Sequence, residues 1–308
     1  MKRIIRGAAV GLVAALALSA CGGGGDDDKD NPLSGGGGGK GTITVGGANF
    51  PESGLIGEIY AQALEAKDIK VSRKFNIGAR EVYYDQVVKG GISVMPEYNG
   101  ALLTTSVDKS STAATTEEIN AALKAKLPAG VEILDSAKAE DKDSVTVNEQ
   151  TATKYKLKSL NDLKPIAGQL TIAGPSEFKT RQQGLVGLKT KYGLNFKKFQ
   201  PFDAGAQPTL VKLLKKDQIQ AADLFTTDPT ILENKFVVLD DPLHVFSAQN
   251  VTPLVHKSAV NDQARAALNA VSAKLTTQDL LDMMKRLVGD KDDQEKVAED
   301  WLKKAGLA

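Results

Sequence analysis

The sequence is short of the residues from which many functional sites are built. Of its 308 residues, one is cysteine, one is tryptophan and two are histidine, and aromatic residues make up 5%. A single cysteine excludes a disulfide framework and any zinc or iron–sulfur site built from cysteines. Two histidines leave few ligands for a transition metal. The net charge of only +1 lacks the excess of basic residues that nucleic-acid binding requires, so we expect no nucleic-acid partner.

What the chain does contain is typical of a globular protein. Hydrophobic residues make up 42% and charged residues 25%, which excludes general disorder. The length is sufficient for one large or two medium domains, each able to bury its own core.

The N-terminal residues 1–20 predict a signal peptide. A basic start is followed by an apolar run over 7–18 that is too short to span a bilayer comfortably. The run ends in Leu18-Ser19-Ala20-Cys21, which resembles the lipobox of bacterial lipoproteins. We therefore expect a lipid on Cys21 that anchors the protein to the extracytoplasmic face of the cell membrane. The alternative is an ordinary secretory signal with an incidental cysteine.

Residues 21–41 are expected to combine the lipidated cysteine with a flexible tether. The segment 22–41 reads GGGGDDDKDNPLSGGGGGKG and has almost nothing to bury. Its acidic run lacks the loop context of a calcium site.

From residue 42 onward, short apolar runs alternate with amphipathic stretches, which predicts an α/β fold. Strands are predicted at 42–46, 70–77, 170–173 and 251–255, and a helix at 181–192. Capping boxes are predicted at Thr115 with Glu118 and at Thr276 with Asp279, and Trp301 is expected to be a core anchor. Two such halves would leave a cleft between lobes, where small ligands usually bind.

Signatures of enzymes are scarce in this sequence. It lacks G-x-S-x-G, a Walker loop, H-E-x-x-H and a dinucleotide G-x-G-x-x-G. We expect no catalytic residues, no metal and no enzymatic activity. The remaining alternative is a cell-surface hydrolase that uses cleft carboxylates or His244, and a scaffold lipoprotein is a third possibility.

Five segments, in the same order and spacing, resemble the substrate-binding lipoproteins of osmoprotectant ABC importers, the receptors for glycine betaine, choline and carnitine. They are VGGANFPESGLIGEIYAQALEA, GAREVYYDQVVKGGISVMPEYNGALL, SEFKTRQQGLVGLKTKYG, AADLFTTDPTI and VVLDDPLHVFSAQNVTPLV. The resemblance covers 42–308. It implies a two-lobed periplasmic-binding-protein-like fold of type II with a hinge between the lobes.

The family further implies a monomer without cofactors that captures a small polar solute and delivers it to a permease and its ATPase. Lobe I is expected at 42–146 plus 250–308, and lobe II at 147–249.

The resemblance also implies site residues. Tyr98, in the motif P-[DE]-Y-x-G, matches a tyrosine of the cage around a quaternary ammonium group, where each ring contributes about 0.5–2 kcal/mol by cation–π attraction. Arg181 matches an arginine that pairs with a ligand carboxylate. Asn49, Phe225 and Thr227 are expected to add further contacts.

Departures from the family pattern affect the expected ligand. Asp143 falls nearest the position of a second cage tyrosine, where it is expected to accept a hydrogen bond or balance a cation. Ala48 stands where a lysine is frequent, and Ala101 where a threonine is. The expected rings are Tyr98, Phe225 and Phe246. A non-betaine ligand, such as a polyol, a sugar-like solute or a polyphenol, is therefore the main alternative.

Overall fold

The computed structural model describes residues 41–308 of the chain. The predicted signal peptide, Cys21 and the predicted tether up to residue 40 lie outside the described residues and remain predictions.

The first of two β-sheets combines strands from both ends of the described chain. Its order is β2-β1-β3-β10-β4, in which β1, β2 and β3 are parallel and β10 is antiparallel to both of its neighbours. The strands are β1 (Thr42–Gly46), β2 (Lys70–Lys74), β3 (Val94–Tyr98), β4 (Val131–Ile133) and β10 (Val251–His256).

The second sheet is built from the middle of the chain, in the order β7-β6-β8-β5-β9. Here β6 is parallel to β7 and β8, and β5 is antiparallel to β8 and β9. The strands are β5 (Asp143–Val147), β6 (Thr171–Pro175), β7 (Lys198–Phe202), β8 (Ala221–Phe225) and β9 (Val237–Val238). The expected α/β architecture of two lobes is confirmed.

Helices cover both sheets. The α-helices are α1 (Pro51–Glu65), α2 (Arg80–Val88), α3 (Asn99–Leu102), α4 (Thr116–Lys126), α5 (Glu149–Tyr155), α6 (Leu185–Tyr192), α7 (Gln207–Lys215), α8 (Thr230–Glu233), α9 (Asp262–Lys274), α10 (Thr277–Met284) and α11 (Gln294–Ala305). Short 3-10 turns lie at Leu160–Leu163, Ala167–Gln169, Ser176–Lys179 and Ala204–Ala206, and π-helical turns at Leu103–Val107 and Lys285–Asp290.

Local signals in the sequence account for several helix boundaries. Both predicted capping boxes are present, before α4 and before α10, and Trp301 is buried in the core of the first lobe. The predicted helix over 181–192 is wrong in its first four residues, because α6 begins at Leu185. The segment before it contains a 3-10 turn at Ser176–Lys179. The predicted strand over 70–77 ends at Lys74.

Two segments, 134–142 and 239–250, connect the sheets and run side by side. An isolated antiparallel bridge joins Glu140 to Asn250, and the amide of Asp141 donates to the carbonyl of Gln249. The expected boundary after residue 146 falls inside β5 and needs correction. This strand pairs with β8 from Asp143 onward, so its residues belong to lobe II. The alternation of apolar residues identified the strand but carried no information about its sheet.

Apolar side chains cover both faces of each sheet. In the first lobe, Val45 and Leu55 belong to one cluster, and Met95 and Leu254 to the other. In the second lobe, Ile172 and Leu224 lie in separate clusters. Each lobe therefore has its own apolar core, and polar and aromatic side chains face each other between the lobes.

Candidate functional site

A cleft lies between the two lobes, at the ends of strands from both sheets. It encloses about 690 Å³, a volume that includes the open solvent at its mouth. Its lining combines aromatic rings, carboxyl groups, guanidinium groups and amides, namely Ala48, Asn49, Phe50, Ala79, Arg80, Tyr83, Tyr98, Ala101, Asp141, Asp143, Pro175, Glu177, Phe178, Arg181, Gln183, Ala204, Asp223, Phe225 and Gln249.

Three rings form one wall of the cleft. The ring of Phe50 lies 6.1 Å from that of Tyr98 and 5.3 Å from that of Phe225, centroid to centroid, and both pairs are tilted. The sequence predicted Tyr98 and Phe225 here but missed Phe50. Phe246 does not line the cleft, because it packs on Phe178 in the core of the second lobe. A third ring is therefore supplied from the start of α1.

Glu52 joins the lobes behind this wall. Its carboxylate is buried and accepts hydrogen bonds from the hydroxyl of Tyr98 at 2.6 Å and of Thr227 at 2.5 Å. Tyr98 ends β3 in the first lobe, whereas Thr227 follows β8 in the second. Burial raises the pKa of Glu52, and the two hydroxyl donors oppose this rise. Thr227, which the sequence placed in the ligand site, does not line the cleft; it lies behind the wall and bonds to Glu52, which does not line the cleft either.

Asp141 stands beside Glu52 and is also buried. Its Oδ1 accepts from the hydroxyl of Thr226 at 3.1 Å and from the backbone amide of Thr227 at 3.0 Å. Burial raises its pKa well above the usual value, and the Glu52 carboxyl adds to the rise. Two neighbouring buried carboxyl groups of this kind titrate as a pair.

Two further carboxyl groups face the cleft from the second sheet. Asp143, on β5, pairs in register with Phe225, on β8. Asp223 lies two residues before Phe225 on β8 and therefore on the same face of the sheet. Burial raises the pKa of Asp143, and the charges of Arg181 and Arg80 oppose the rise. Burial likewise raises the pKa of Asp223 well above its usual value, and the charge of Asp143 adds to it.

Two guanidinium groups also line the cleft, one from each lobe, and each already has a carboxylate partner. Arg80 is buried and pairs with Glu97, with Nε and Nη2 at 2.8–3.0 Å from its oxygens, while the Tyr83 hydroxyl donates to the same carboxylate at 2.9 Å. Arg181 pairs with Glu81 through Nε at 3.2 Å and Nη2 at 2.9 Å. Because Glu81 lies on α2, this second ion pair connects the lobes.

Amides complete the polar lining. Asn49 lies on the cleft as predicted, and its Oδ1 is buried without a hydrogen-bond partner in residues 41–308. Gln249, within the polar stretch 247–250, bonds through Nε2 to Gln183 and accepts from the amide of Ala101 at 2.9 Å. Gln183 in turn donates to Ser247 at 2.7 Å.

Several of these residues escaped sequence reasoning. Phe50, Glu52, Arg80 and Asp223 all lie within the segments quoted above, but nothing in their spacing distinguishes them from surface or core residues. The available signal was local: each stands within three residues of the end of a strand or the start of a helix.

Within the described part of the chain, no group of three or more His, Cys, Asp or Glu side chains is arranged to hold a metal ion. His244 is not among the residues that line the cleft. None of the helices from residue 41 onward has the length and apolar character needed to span a bilayer.

Two α/β lobes, two crossing segments and a polar–aromatic cleft between them define a solute-binding protein of the periplasmic-binding-protein type. The profile of the OpuAC family, described as the substrate binding domain of ABC-type glycine betaine transport systems, matches residues 41–304. The chain belongs to this family and is a substrate-binding protein of an ABC transporter, which confirms the resemblance seen in the sequence.

Individual relatives are distant but extend over most of the chain. The glycine betaine-binding protein YehZ of Escherichia coli (strain K12) is 25% identical over 276 residues, which cover 86% of this chain and 90% of that protein. The carnitine transport binding protein OpuCC of Listeria monocytogenes is 22% identical, covering 86% and 87%. The crystal structure of a glycine betaine/carnitine/choline ABC transporter protein superimposes with a TM-score of 0.68 at 20% identity, covering 86% of this chain and 99% of that one, which confirms the predicted fold class.

We expect Tyr98→Phe to lower the free energy of unfolding by about 1–3 kcal/mol, because it leaves a buried oxygen of Glu52 without its donor. Tyr60→Phe is the matched control: the Tyr60 hydroxyl is also buried but has no partner within residues 41–308, so its removal should cost little. Urea denaturation of both variants measures the difference. Equal losses would mean that the bond between Tyr98 and Glu52 does not stabilise the fold.

Proposed function

We propose that this protein is a lipid-anchored receptor on the extracytoplasmic side of the cell membrane, which captures a small solute bearing a cationic nitrogen and delivers it to its ABC permease. The observation that carries the proposal is the meeting of an aromatic wall with buried carboxyl groups in one interlobe cleft. Closure of two lobes around such a solute excludes water and strengthens each polar contact.

Two interactions favour a cation in the cleft: cation–π attraction by the aromatic rings and charge attraction by a carboxyl group. The faces of Phe50, Tyr98 and Phe225 offer cation–π attraction, which is strongest where the ring and the cation are desolvated. Asp143, on the strand next to Phe225, adds a carboxyl group that has no ion pair within the described residues. A quaternary amine, as in the relatives named for glycine betaine and carnitine, fits the rings.

Calorimetric titration with quaternary amines and polyols tests this assignment. We expect heat of binding from at least one amine and a loss of about tenfold in its affinity in Phe225→Leu, which keeps apolar volume but removes the ring. Phe202→Leu makes the same change in the second lobe outside the cleft and should leave affinity unchanged. Binding of polyols alone would favour the non-betaine alternative, and binding of no solute would refute the receptor assignment.

A second prediction concerns the anionic end of the ligand. Arg181 lines the cleft and can turn from Glu81 toward a ligand carboxylate, so Arg181→Gln should weaken glycine betaine several-fold more than choline, which has no carboxylate. Glu81→Gln is the control, because it releases Arg181 and should preserve or improve carboxylate binding. Equal losses for both solutes in Arg181→Gln would restrict Arg181 to holding the lobes together.

The lipid anchor rests on the sequence of the N-terminus. If Leu18-Ser19-Ala20-Cys21 is a lipobox, the Cys21→Ser variant should lose incorporation of labelled fatty acid and move from the membrane fraction to the soluble fraction. Ser19→Thr, two residues before Cys21, should retain the label. Membrane association of Cys21→Ser at the level of the unaltered protein would refute the anchor.

A further inference from the structure

One carboxyl group of the cleft has no function in holding the fold. Asp223, in the middle of β8, is 1% exposed, and neither of its carboxyl oxygens is within hydrogen-bond geometry of a donor in residues 41–308, although the backbone amide of Ser144 is near enough to oppose the rise of its pKa. The side chain lines the cleft on the same face as Phe225. Buried carboxyl groups are normally paired, so this unpartnered one points to a missing donor.

The neighbouring carboxyl groups either accept hydrogen bonds from the fold or are partly exposed. Both oxygens of Glu52 accept hydroxyl donors, and Oδ1 of Asp141 accepts two donors from the 226–227 turn. Asp143 makes no side-chain hydrogen bond or ion pair in residues 41–308, but it retains partial exposure. Among the carboxyl groups, open acceptor positions are therefore concentrated on Asp223 and Asp143, both on the second sheet, and the amide oxygen of Asn49 adds one from the first lobe.

The arginines of the cleft make no ion pair with these two groups within the described residues, although the charge of Arg181 acts on both. Arg80 is engaged by Glu97 and Arg181 by Glu81, each at ion-pair distance. The facing surface of the second lobe thus carries two acidic groups without a paired cation, and one of them is fully buried. A ligand has to supply both the positive charge and the hydrogen-bond donors.

We infer that the cleft selects cationic solutes that carry N–H donors, such as incompletely methylated amines or guanidinium compounds, and that Asp223 is the residue that sets this preference. The inference rests on the proposed function, since it names the solute class for the same cleft. An ammonium or guanidinium group on the aromatic wall would direct N–H bonds to Asp223 and Asp143, which are charge-assisted and thus among the strongest hydrogen bonds.

A fully methylated ammonium group satisfies only half of these requirements. It balances charge and contacts the rings, but it has no N–H to offer, so Asp223 would remain unpaired beneath it. Sites built to hydrogen-bond a ligand group discriminate strongly against an analogue without that group, because their own buried polar atoms are left without partners.

A methylation series tests the inference directly. Glycine betaine, dimethylglycine and sarcosine share one carboxylate and differ by carrying no, one and two N–H donors. In the full-length protein we expect calorimetry to give dimethylglycine or sarcosine at least tenfold higher affinity than glycine betaine. In Asp223→Asn this preference should fall to threefold or less, whereas Asp203→Asn, an exposed position in the same lobe outside the cleft, should keep it.

The outcomes separate the inference from the proposed function. Glycine betaine as the tightest ligand of the unaltered protein, or an unchanged preference in Asp223→Asn, overturns the inference and leaves the receptor for a cationic solute in place. Absence of binding for all three compounds and for guanidinoacetate overturns both.

The melting temperature of Asp223→Asn without ligand is a second test. It should rise if Asp223 serves the ligand and fall if Asp223 holds the fold together. Its raised pKa means that the folded state becomes less stable as the pH rises above the usual carboxyl value near 4, toward the raised value. The charges that face it are those of Asp143, Asp141 and Arg181. Asp223→Asn removes this loss, so its melting temperature without ligand should exceed that of the unaltered protein, more at pH 8 than at pH 5. A lower melting temperature would assign Asp223 to the scaffold and overturn the inference.

Discussion

The carboxylate of Glu52 is buried where the two lobes meet, and it holds one hydroxyl donor from each of them. Removal of either donor would leave one buried oxygen of Glu52 without its partner, at a cost of about 1–3 kcal/mol. The distance between the end of β3 and the turn after β8 is therefore fixed by two bonds of 2.6 and 2.5 Å. The same short segments carry the aromatic wall, because Phe50 lies two residues before Glu52 and Phe225 two residues before Thr227. Thus the contact that joins the lobes also sets the spacing of the rings.

Charge is distributed unevenly across the cleft as a consequence of this arrangement. Both arginines are anchored by glutamates of the first lobe, one buried and one bridging the lobes, whereas the second sheet presents Asp143 and Asp223 toward the same space. A zwitterion would find its anionic end near Arg181 and its cationic end near the rings and carboxyl groups. The orientation of a bound solute therefore follows from the positions of Arg181 and of the two carboxyl groups, all of which belong to the second lobe.

Local structure was largely readable from the sequence, whereas the site was only partly so. Capping boxes at Thr115 and Thr276 obey rules that act within four residues, and these helices begin as predicted. The sheet to which β5 belongs depends on its partner β8, which is about 80 residues away, and the predicted boundary failed there. Tyr98 and Phe225, which line the cleft, were singled out because they lie in segments with a family resemblance. Glu52 and Asp223 were missed because their importance comes from burial and from partners, or the lack of them, in the other parts of the fold.

The comparison of two buried acidic residues shows why Asp223 belongs to the site and not to the scaffold. Glu97 is 0% exposed, and the fold surrounds it with Arg80, the Tyr83 hydroxyl and the amide of Tyr98. Asp223 is 1% exposed and receives no such set of donors. Its side chain fits beside Gly174 because glycine has no Cβ: a Cβ at that position would lie 2.8 Å from the Cβ of Asp223. Since the same chain compensates a buried carboxylate fully where only the fold is concerned, an uncompensated one at the cleft is a destabilising feature that a bound donor would remove. The missing partner is then a group of the ligand, and its chemistry is that of a cation with hydrogen on nitrogen.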